Sequence, residues 1–193
     1  MPSNHRRELW LVRHGETPAS RGRNLAGWND VPLTERGESQ AAALKPVFDG
    51  EQFDGVWSSD LVRAVTTARL ARGEPTPDRR LREISFGDLE GVGYMAMDED
   101  ARDALMRFEG FSAPGGESFK ELRARVLSFV DDLPPGRHAL FTHGGVVRTL
   151  AREVGEDRFV PTGTLVIVDW DARKLLSVRE GEGTPRDNKG NPA

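Results

Sequence analysis

The fold of this 193-residue chain is decided by the stretch LWLVRHGET, which spans Leu9–Thr17. Its first four residues are apolar and include strand formers, and the apolar run stops abruptly at Arg13-His14-Gly15. A buried strand of a parallel sheet ends in this way, and in open α/β sheets ligands bind beyond the carboxyl ends of the strands. A guanidinium, an imidazole and a conformationally permissive glycine in succession suit an anion at that edge. The stretch therefore predicts an α/β protein with an anion site after its first strand.

Two later stretches end in the same way. Residues 53–58 predict a short strand, and the polar cluster after it places Arg63 in the first turn of a helix that runs to about residue 71. Residues 139–142 predict a buried strand that ends at His143 and Gly144, before a helix over about 146–154. Helix N-termini offer free backbone N–H groups and a partial positive charge, and phosphate commonly binds there. The three strand ends would therefore bring two arginines and two histidines to one phosphate.

The remaining chain alternates between strand and helix patterns, which predicts a three-layer α/β/α sandwich with a mostly parallel central sheet. We expect a single domain over residues 9–180, with a flexible tail at 1–8 and a disordered tail at 181–193, where Gly, Pro, Asp and Asn dominate. The other predicted elements are a polar loop at 18–31, a helix over 35–48 capped by Thr34, a loop at 73–77, an extended piece at 81–84, a helix over 97–108, a helix that begins with a Ser118–Glu121 capping box and ends at 133, and two strands at 164–170 and 175–178.

Composition limits the classes of function. A net charge of −4 and a pI of about 5.7 provide no overall field that would attract nucleic acid. No apolar run approaches membrane-spanning length, and residues 1–8 contain no apolar segment of a signal peptide, so we expect a cytoplasmic protein without membrane association. Cysteine is absent, which excludes disulfides and cysteine nucleophiles. The four histidines lack metal-ligand spacing such as His-Glu-x-x-His, which predicts no metal site.

His14 is the candidate nucleophile. A neutral imidazole can attack phosphorus when its second ring nitrogen is held by a hydrogen bond, and an ordinary pKa of about 6.5 leaves it largely unprotonated at neutral pH. The leaving alkoxide needs a proton, which a carboxylic acid next to a bound phosphate dianion retains because like charges repel. Three acids suit this role by sequence alone: Glu83, Asp88 and Glu90.

Each of these residues also has a structural interpretation. A histidine at a strand end is more often a hydrogen-bonding residue than a nucleophile, and it is the pairing of His14 with His143 that favours catalysis. His138, at a strand start, is interpreted as structural. Ser58 and Ser59 lack a Gly-x-Ser-x-Gly elbow and are interpreted as capping residues rather than nucleophiles.

Six motifs, in order, resemble those of the histidine phosphatase superfamily, in the branch that includes cofactor-dependent phosphoglycerate mutases. The resemblance covers about residues 9–178 and rests on Arg13–Thr17, Gly27–Thr34, Ser58–Ala64, Glu83 with Phe86–Gly91, Pro114–Ser118 and Thr142–Gly145. It implies that His14 is the phosphorylated nucleophile, that Arg13 and Arg63 clamp the phosphate, that His143 stabilises the transferring group and that Glu83 is the proton donor. We also expect Gly144 and Ser20 in the phosphate or substrate subsite, with no cofactor and no metal, and we interpret Asp88 and Glu90 as turn and surface acids.

Two departures from the family's mutases favour a phosphatase. The mutases carry a longer segment after the acid glutamate, with an adjacent arginine pair, whereas the interval Glu83–Glu117 is short and holds only Arg102 and Arg107; the pair Arg79-Arg80 precedes it. Ser20 stands where mutases look to have asparagine. We therefore expect hydrolysis of a small phosphate monoester through a phosphohistidine, with mutase-type transfer or non-catalytic phosphate binding as alternatives. The apolar residues of the cap segment, residues 92–113, predict either helix packing or a lid over the substrate.

Overall fold

A computed structural model describes residues 6–181, which build one six-stranded sheet with the order β3-β2-β4-β1-β5-β6. The strands β1 to β4 pair in parallel, β5 runs antiparallel to β1, and β6 runs antiparallel to β5. The predicted fold class is confirmed. The strands are β1 (Arg7–Arg13), β2 (Gly55–Ser58), β3 (Thr76–Pro77), β4 (Gly136–Thr142), β5 (Leu165–Asp169) and β6 (Lys174–Arg179).

Helices cover both faces of the sheet. The helices are α1 (Pro18–Arg21), α2 (Glu35–Ala42), α3 (Lys45–Phe48), α4 (Val62–Ala71), α5 (Glu99–Arg107), α6 (Phe119–Asp131) and α7 (Gly144–Glu153). Side chains of β1 alternate, so that Leu9 and Leu11 join the apolar cluster under α5, α6 and α7, whereas Trp10 and Val12 join the cluster under α3 and α4. Helix α2 packs against α4 on that second face. Within residues 6–181, no helix has the length and apolar character to span a membrane.

The register of the central strands brings three strand ends together. Arg13 of β1 lies beside Thr142 of β4, and Ser58 of β2 lies beside Phe141 of the same strand. The ladder continues for one more residue, because the His14 amide donates to the Thr142 carbonyl at 2.9 Å. The residues that follow β1, β2 and β4 therefore emerge at one edge of the sheet, as the sequence predicts.

The ends of the chain differ partly from the prediction. Strand β1 begins at Arg7, two residues before the predicted start, because the Arg7 amide donates to the Asp171 carboxylate at 2.6 Å and Arg7 pairs with Gly136. Residues 1–5 of the predicted N-terminal tail and 182–193 of the predicted C-terminal tail lie outside the described residues.

Four interior elements also differ. The predicted helix over 35–48 is divided into α2 and α3, since Pro46 lacks an amide donor and its ring clashes with the carbonyl four residues earlier. The predicted loop at 18–31 contains α1, and the predicted loop at 73–77 contains β3, which pairs with β2. The start of the predicted extended piece at 81–84 belongs to a 3₁₀ turn over Arg79–Leu81, capped by Asp78.

The cap segment contains a 3₁₀ turn at Tyr94–Ala96 and the helix α5.

Candidate active site

Two buried histidines lie at the sheet edge where β1 and β4 end. His14 is 6% exposed and His143 is fully buried, and their ring centroids are 5.2 Å apart. Arg13 and Arg63 are close enough that their positive charges lower the pKa of both histidines. The four residues that the sequence assigns to one phosphate site are therefore brought together.

The protonation of His14 follows from its hydrogen bond. Its Nδ1 lies 2.7 Å from the carbonyl oxygen of Gly15, and because a carbonyl only accepts, Nδ1 must carry the ring proton. The lone pair of a neutral ring is then on Nε2. Burial, followed by the charges of Arg63 and Arg13, holds the pKa of His14 well below its usual 6.5. His14 is therefore neutral at pH 7, which is the form that can act as a nucleophile.

The backbone after His14 is fixed by close packing. The Gly15 amide donates to the Thr67 hydroxyl at 3.1 Å, and that hydroxyl donates to the Arg63 carbonyl at 2.7 Å. A Cβ on Gly15 would lie 2.1 Å from the carbonyl oxygen of Gly37 in α2, so only glycine fits there. The Thr34 hydroxyl, which caps α2, also donates to the Glu16 carboxylate at 2.9 Å. Helices α2 and α4 together hold the loop of residues 14–17, called the histidine loop below.

The two arginines are anchored by backbone carbonyl groups. Arg63, 1% exposed, donates from Nη1 to the Asn29 carbonyl at 2.9 Å and from Nη2 to the Gly27 carbonyl at 2.7 Å. Arg13 donates from Nη1 to the Val160 carbonyl. The Nε atoms of both arginines are buried and have no hydrogen-bond partner in the described part of the chain. Burial lowers the pKa of each guanidinium, but an arginine still carries its charge at neutral pH.

His143 is the second group without partners. Neither of its ring nitrogens has a hydrogen-bond partner among residues 6–181. Burial is the main cause that lowers its pKa well below 6.5, followed by the charge of Arg63. It occupies the N-cap position of α7, and a Cβ on the next residue, Gly144, would lie 3.3 Å from the Arg13 guanidinium. The start of α7 and the Arg13 guanidinium therefore lie close together, and Arg63 is near enough for its charge to act on the His143 ring. The space among these groups is the candidate phosphate site.

Glu83 is the candidate acid that reaches this space. Its Oε1 accepts from the Ile84 amide at 2.9 Å, and its Oε2 accepts from the Gly145 amide at 3.1 Å, two residues after His143. Asp88 is exposed. Glu90 is half-buried, and its carboxylate accepts from the amides of Trp28 and Phe86. The prediction that Glu90 is a surface acid was wrong. The Glu90 carboxylate bonds to the loop that contains Trp28, and the carbonyl groups of this loop anchor Arg63.

The remaining predicted residues have local structural roles. The Ser20 hydroxyl accepts from the Thr17 amide at 2.9 Å and donates to the Thr17 carbonyl at 3.1 Å, which completes a capping box on α1. The interpretation of Ser58 and Ser59 as capping residues was wrong, because the N-cap of α4 is Leu61, whose side chain makes no capping hydrogen bond. Both serines bond before the helix begins: the Ser59 hydroxyl accepts from the Leu61 amide at 3.3 Å, and the Ser58 hydroxyl donates to the Ser59 carbonyl at 2.7 Å. His138 is buried, with Nε2 2.9 Å from the Pro134 carbonyl.

Three residues that support the site were not predicted from the sequence. Asp30 accepts from the first amide of α4 at 2.7 Å, Thr67 bonds to Gly15, and Arg125 bonds to the backbone around Glu83. Each contact crosses between elements that are distant in the sequence, so no local pattern indicates it. Within residues 6–181, no three His, Asp or Glu side chains are arranged to hold a metal ion.

Comparison with known proteins agrees with this arrangement. Residues 9–177 match the family model of the histidine phosphatase superfamily (branch 1). The fold and the paired histidines thus define a class of phosphoryl-transfer proteins, and the chain belongs to the histidine phosphatase superfamily.

Both mutases and phosphatases occur among its relatives. The crystal structure of phosphoglycerate mutase from Thermus thermophilus is 48% identical, with a TM-score of 0.83, and the match covers 89% of this chain and 97% of that one. The 2,3-bisphosphoglycerate-dependent phosphoglycerate mutase 2 of Gloeobacter violaceus is 32% identical over 76% of this chain and 74% of its own length. The glucosyl-3-phosphoglycerate phosphatase of Mycobacterium tuberculosis is 34% identical over 75% of this chain and 74% of its own length.

Proposed function

We propose that this protein hydrolyses small phosphate monoesters through a phosphohistidine formed on His14. The observation that carries the proposal is a set of buried donors, on Arg13, Arg63 and His143, that find no partner among residues 6–181 and lie around a neutral nucleophile. Leaving such groups unpaired costs about 1–3 kcal/mol each, which a bound phosphate would recover through charge-assisted hydrogen bonds. Two guanidinium groups also leave the site positively charged whether Glu83 is ionised or protonated, as binding of a phosphate dianion requires.

In the first half of the proposed reaction, the Nε2 lone pair of His14 attacks phosphorus and an N–P bond forms. The ester P–O bond breaks, and the departing alkoxide takes its proton from the carboxyl group of Glu83. Arg13, Arg63 and His143 stabilise the charge on the non-bridging oxygens of the transferring group. The products of this step are an alcohol and the phosphoenzyme.

In the second half, water attacks the phosphohistidine. The Glu83 carboxylate accepts a proton from that water, the N–P bond breaks, and inorganic phosphate leaves with the imidazole neutral again. No cofactor and no metal ion enters this balance. Glu83 thus acts first as the acid and then as the base, and it ends in its initial protonation state.

Hydrolysis is proposed over mutase-type transfer because the segment from Glu83 to Glu117 holds no adjacent arginine pair for a substrate carboxylate. The guanidinium of Arg80 bonds to Asp78 at 2.8 Å and to Asp132 at 2.6 Å, so the pair Arg79-Arg80 is not free to supply a clamp. Arg102 and Arg107 are not adjacent. Transfer of the phosphoryl group to a second hydroxyl is the alternative that a direct assay must exclude.

The test of the nucleophile uses His14→Ala. We expect this variant to lose hydrolysis of p-nitrophenyl phosphate and also the acid-labile phosphorylation seen after rapid quenching of the wild type. His138→Gln is the matched control, since His138 is also buried but lies at the opposite end of β4. Covalent labelling that persists in His14→Ala would overturn the assignment.

Two further assays separate the alternatives. Turnover should survive EDTA and be blocked by vanadate, and loss of activity with EDTA would contradict the metal-independent mechanism. With 3-phosphoglycerate, a phosphatase releases inorganic phosphate, whereas a mutase forms 2-phosphoglycerate and is stimulated by the bisphosphate. A preparation that isomerises without releasing phosphate would establish the mutase.

The proposed setting is the cytoplasm, with small phosphorylated molecules as the partners. The negative net charge of −4 supports this choice of partners, because it disfavours association with nucleic acid and with anionic membrane surfaces. A panel of phosphorylated metabolites, assayed for phosphate release, would identify the alcohol portion of the substrate.

A further inference from the structure

The backbone around Glu83 is held by one arginine of helix α6. The guanidinium of Arg125 makes five hydrogen bonds, three of them to backbone carbonyls. It donates to the carbonyls of Arg80 at 2.8 Å, Arg82 at 2.9 Å and Glu83 at 3.1 Å. Its other two bonds form a bidentate pair with the Glu117 carboxylate, at 2.8 and 2.7 Å.

Glu117 extends this contact to the other side of Glu83. Oε2 of Glu117, which accepts from Nη2 of Arg125, also accepts from the Ser85 amide at 2.9 Å. Both side chains of the pair are only 17% exposed, so water screens their interaction weakly. The pair therefore fixes carbonyl groups before Glu83 and at Glu83 itself, and an amide group after it.

This fixation matters because residues 82–86 belong to no helix or strand. A backbone hydrogen bond from the Glu117 amide to the Ser85 carbonyl, at 2.9 Å, also holds this segment. Because the segment has no ladder of such bonds, side chains must supply further hydrogen bonds that hold it in place. The Trp28 indole contributes one such bond, to the Glu83 carbonyl at 2.8 Å. Arg125 and Glu117 hold the same segment from the side of helix α6.

We propose that Arg125, with Glu117, is a positioning residue that aims the Glu83 carboxyl group at the leaving oxygen. The inference rests on the proposed function, in which Glu83 is the proton donor. The guanidinium bonds to backbone atoms and to Glu117, so it acts through the segment that carries Glu83 and not on the substrate. A displacement of about 1 Å in a reacting group slows a reaction by about 10²-fold, which sets the scale of the expected effect.

A positioning role predicts a loss that depends on the leaving group. p-Nitrophenolate departs readily without a proton, whereas phenolate, with a conjugate-acid pKa of about 10, gains much more from protonation. Displacement of the Glu83 carboxyl group should therefore slow phosphoenzyme formation from phenyl phosphate far more than from p-nitrophenyl phosphate. A purely structural role would slow both substrates by the same factor.

The experiment measures single-turnover phosphoenzyme formation with both substrates in the wild type, Arg125→Met, Arg125→Lys and Glu117→Gln. We expect a loss of about 10- to 100-fold for phenyl phosphate in Arg125→Met, with less than about threefold for p-nitrophenyl phosphate. Arg123→Met is the matched control. Arg123 lies on the same helix, but it is exposed and pairs with Glu153 at 2.5 Å, away from Glu83.

Equal loss for both substrates in Arg125→Met, or no loss at all, would overturn the positioning role. If Arg125→Met does not fold, the same comparison in Arg125→Lys and Glu117→Gln decides the question, since each keeps a polar group of similar size and loses part of the bidentate pair. Failure of the proposed function is distinguishable, because in that case the wild type itself forms no phosphohistidine with either substrate.

Discussion

At position 37, helix propensity and packing demand different residues. Gly37 lies inside α2, where alanine is favoured by about 1 kcal/mol. A Cβ at this position would lie 2.0 Å from the carbonyl oxygen of Glu16, in the loop that follows His14. We expect Gly37→Ala to lower the free energy of unfolding by about 1–3 kcal/mol, since overpacking outweighs the gain in propensity. Urea denaturation measures this loss.

Ser39→Ala is the control for that variant. Ser39 lies on the exposed side of the same helix, with its hydroxyl bonded to the Glu35 carbonyl, and its replacement should change stability by less than about 0.5 kcal/mol. A Gly37→Ala protein as stable as Ser39→Ala would show that α2 can move away from the histidine loop.

Single residues of the site were predictable to different degrees. His14 and His143 follow from strand ends, because parallel neighbouring strands end at one edge whatever lies between them in the sequence. Glu83 was not separable from Asp88 and Glu90 by residue type, and only the family resemblance favoured it. Arg125 was not predictable, because a guanidinium that bonds to distant carbonyl groups leaves no periodic signal.

At the scale of elements, the first turn of α6 tests how local capping affects the site. The Ser118 hydroxyl accepts from the Glu121 amide at 3.2 Å, and the Glu121 carboxylate accepts from the Ser118 amide at 2.8 Å. We expect Ser118→Ala to lower the free energy of unfolding by about 1 kcal/mol. Activity should change less than twofold, since Arg125 lies in the middle of the helix. Thermal denaturation and p-nitrophenyl phosphate hydrolysis measure the two effects.

A serine-to-alanine substitution in the interior of α6 is the control for Ser118→Ala. Ser128 is exposed in the second half of the helix, where alanine is the better helix former, so Ser128→Ala should be neutral or slightly stabilising. Equal destabilisation by both variants would contradict a specific role for the cap.

Elements whose signals are local were predicted well, and those that depend on a distant partner were not. The capping box of α6 and the buried strands β1 and β4 carry their own patterns of residues. In contrast, β3 exists only because two residues pair with β2, and the start of β1 depends on Asp171 across the sheet. The break between α2 and α3 was predictable in principle, since Pro46 is visible in the sequence.

At the scale of the whole molecule, the site is built into the sheet edge between the two helix layers. Its loops are held by α2 and α4 from one layer and by α6 and α7 from the other, which also supply Gly37, Arg63, Arg125 and Gly144. The charged and polar groups of the proposed phosphate site are therefore buried as a consequence of the fold. Folding must keep His14 and His143 neutral, and stability becomes linked to pH through them.

The direction of this link follows from the lowered pKa values. Well above pH 6.5 both histidines are neutral in the folded and the unfolded chain, so they add no pH dependence. As the pH falls below the unfolded pKa of about 6.5, the unfolded chain binds protons that the folded protein excludes, and the free energy of unfolding falls. This loss continues until the pH reaches the lowered pKa of the folded state.

We therefore expect His14→Asn to be less sensitive to acid than the wild type. The asparagine amide can still donate to the Gly15 carbonyl, but it cannot titrate. Between pH 7.5 and 5.5, the stability of the variant relative to the wild type should rise by up to about 1.4 kcal/mol, the most that one histidine excluded from protonation can contribute over this range. Urea denaturation at pH 7.5, 6.5 and 5.5 measures it, and the difference cancels the titration of carboxylates common to both proteins. A difference that stays constant with pH would mean that His14 gains its proton as readily in the folded protein as in the unfolded chain.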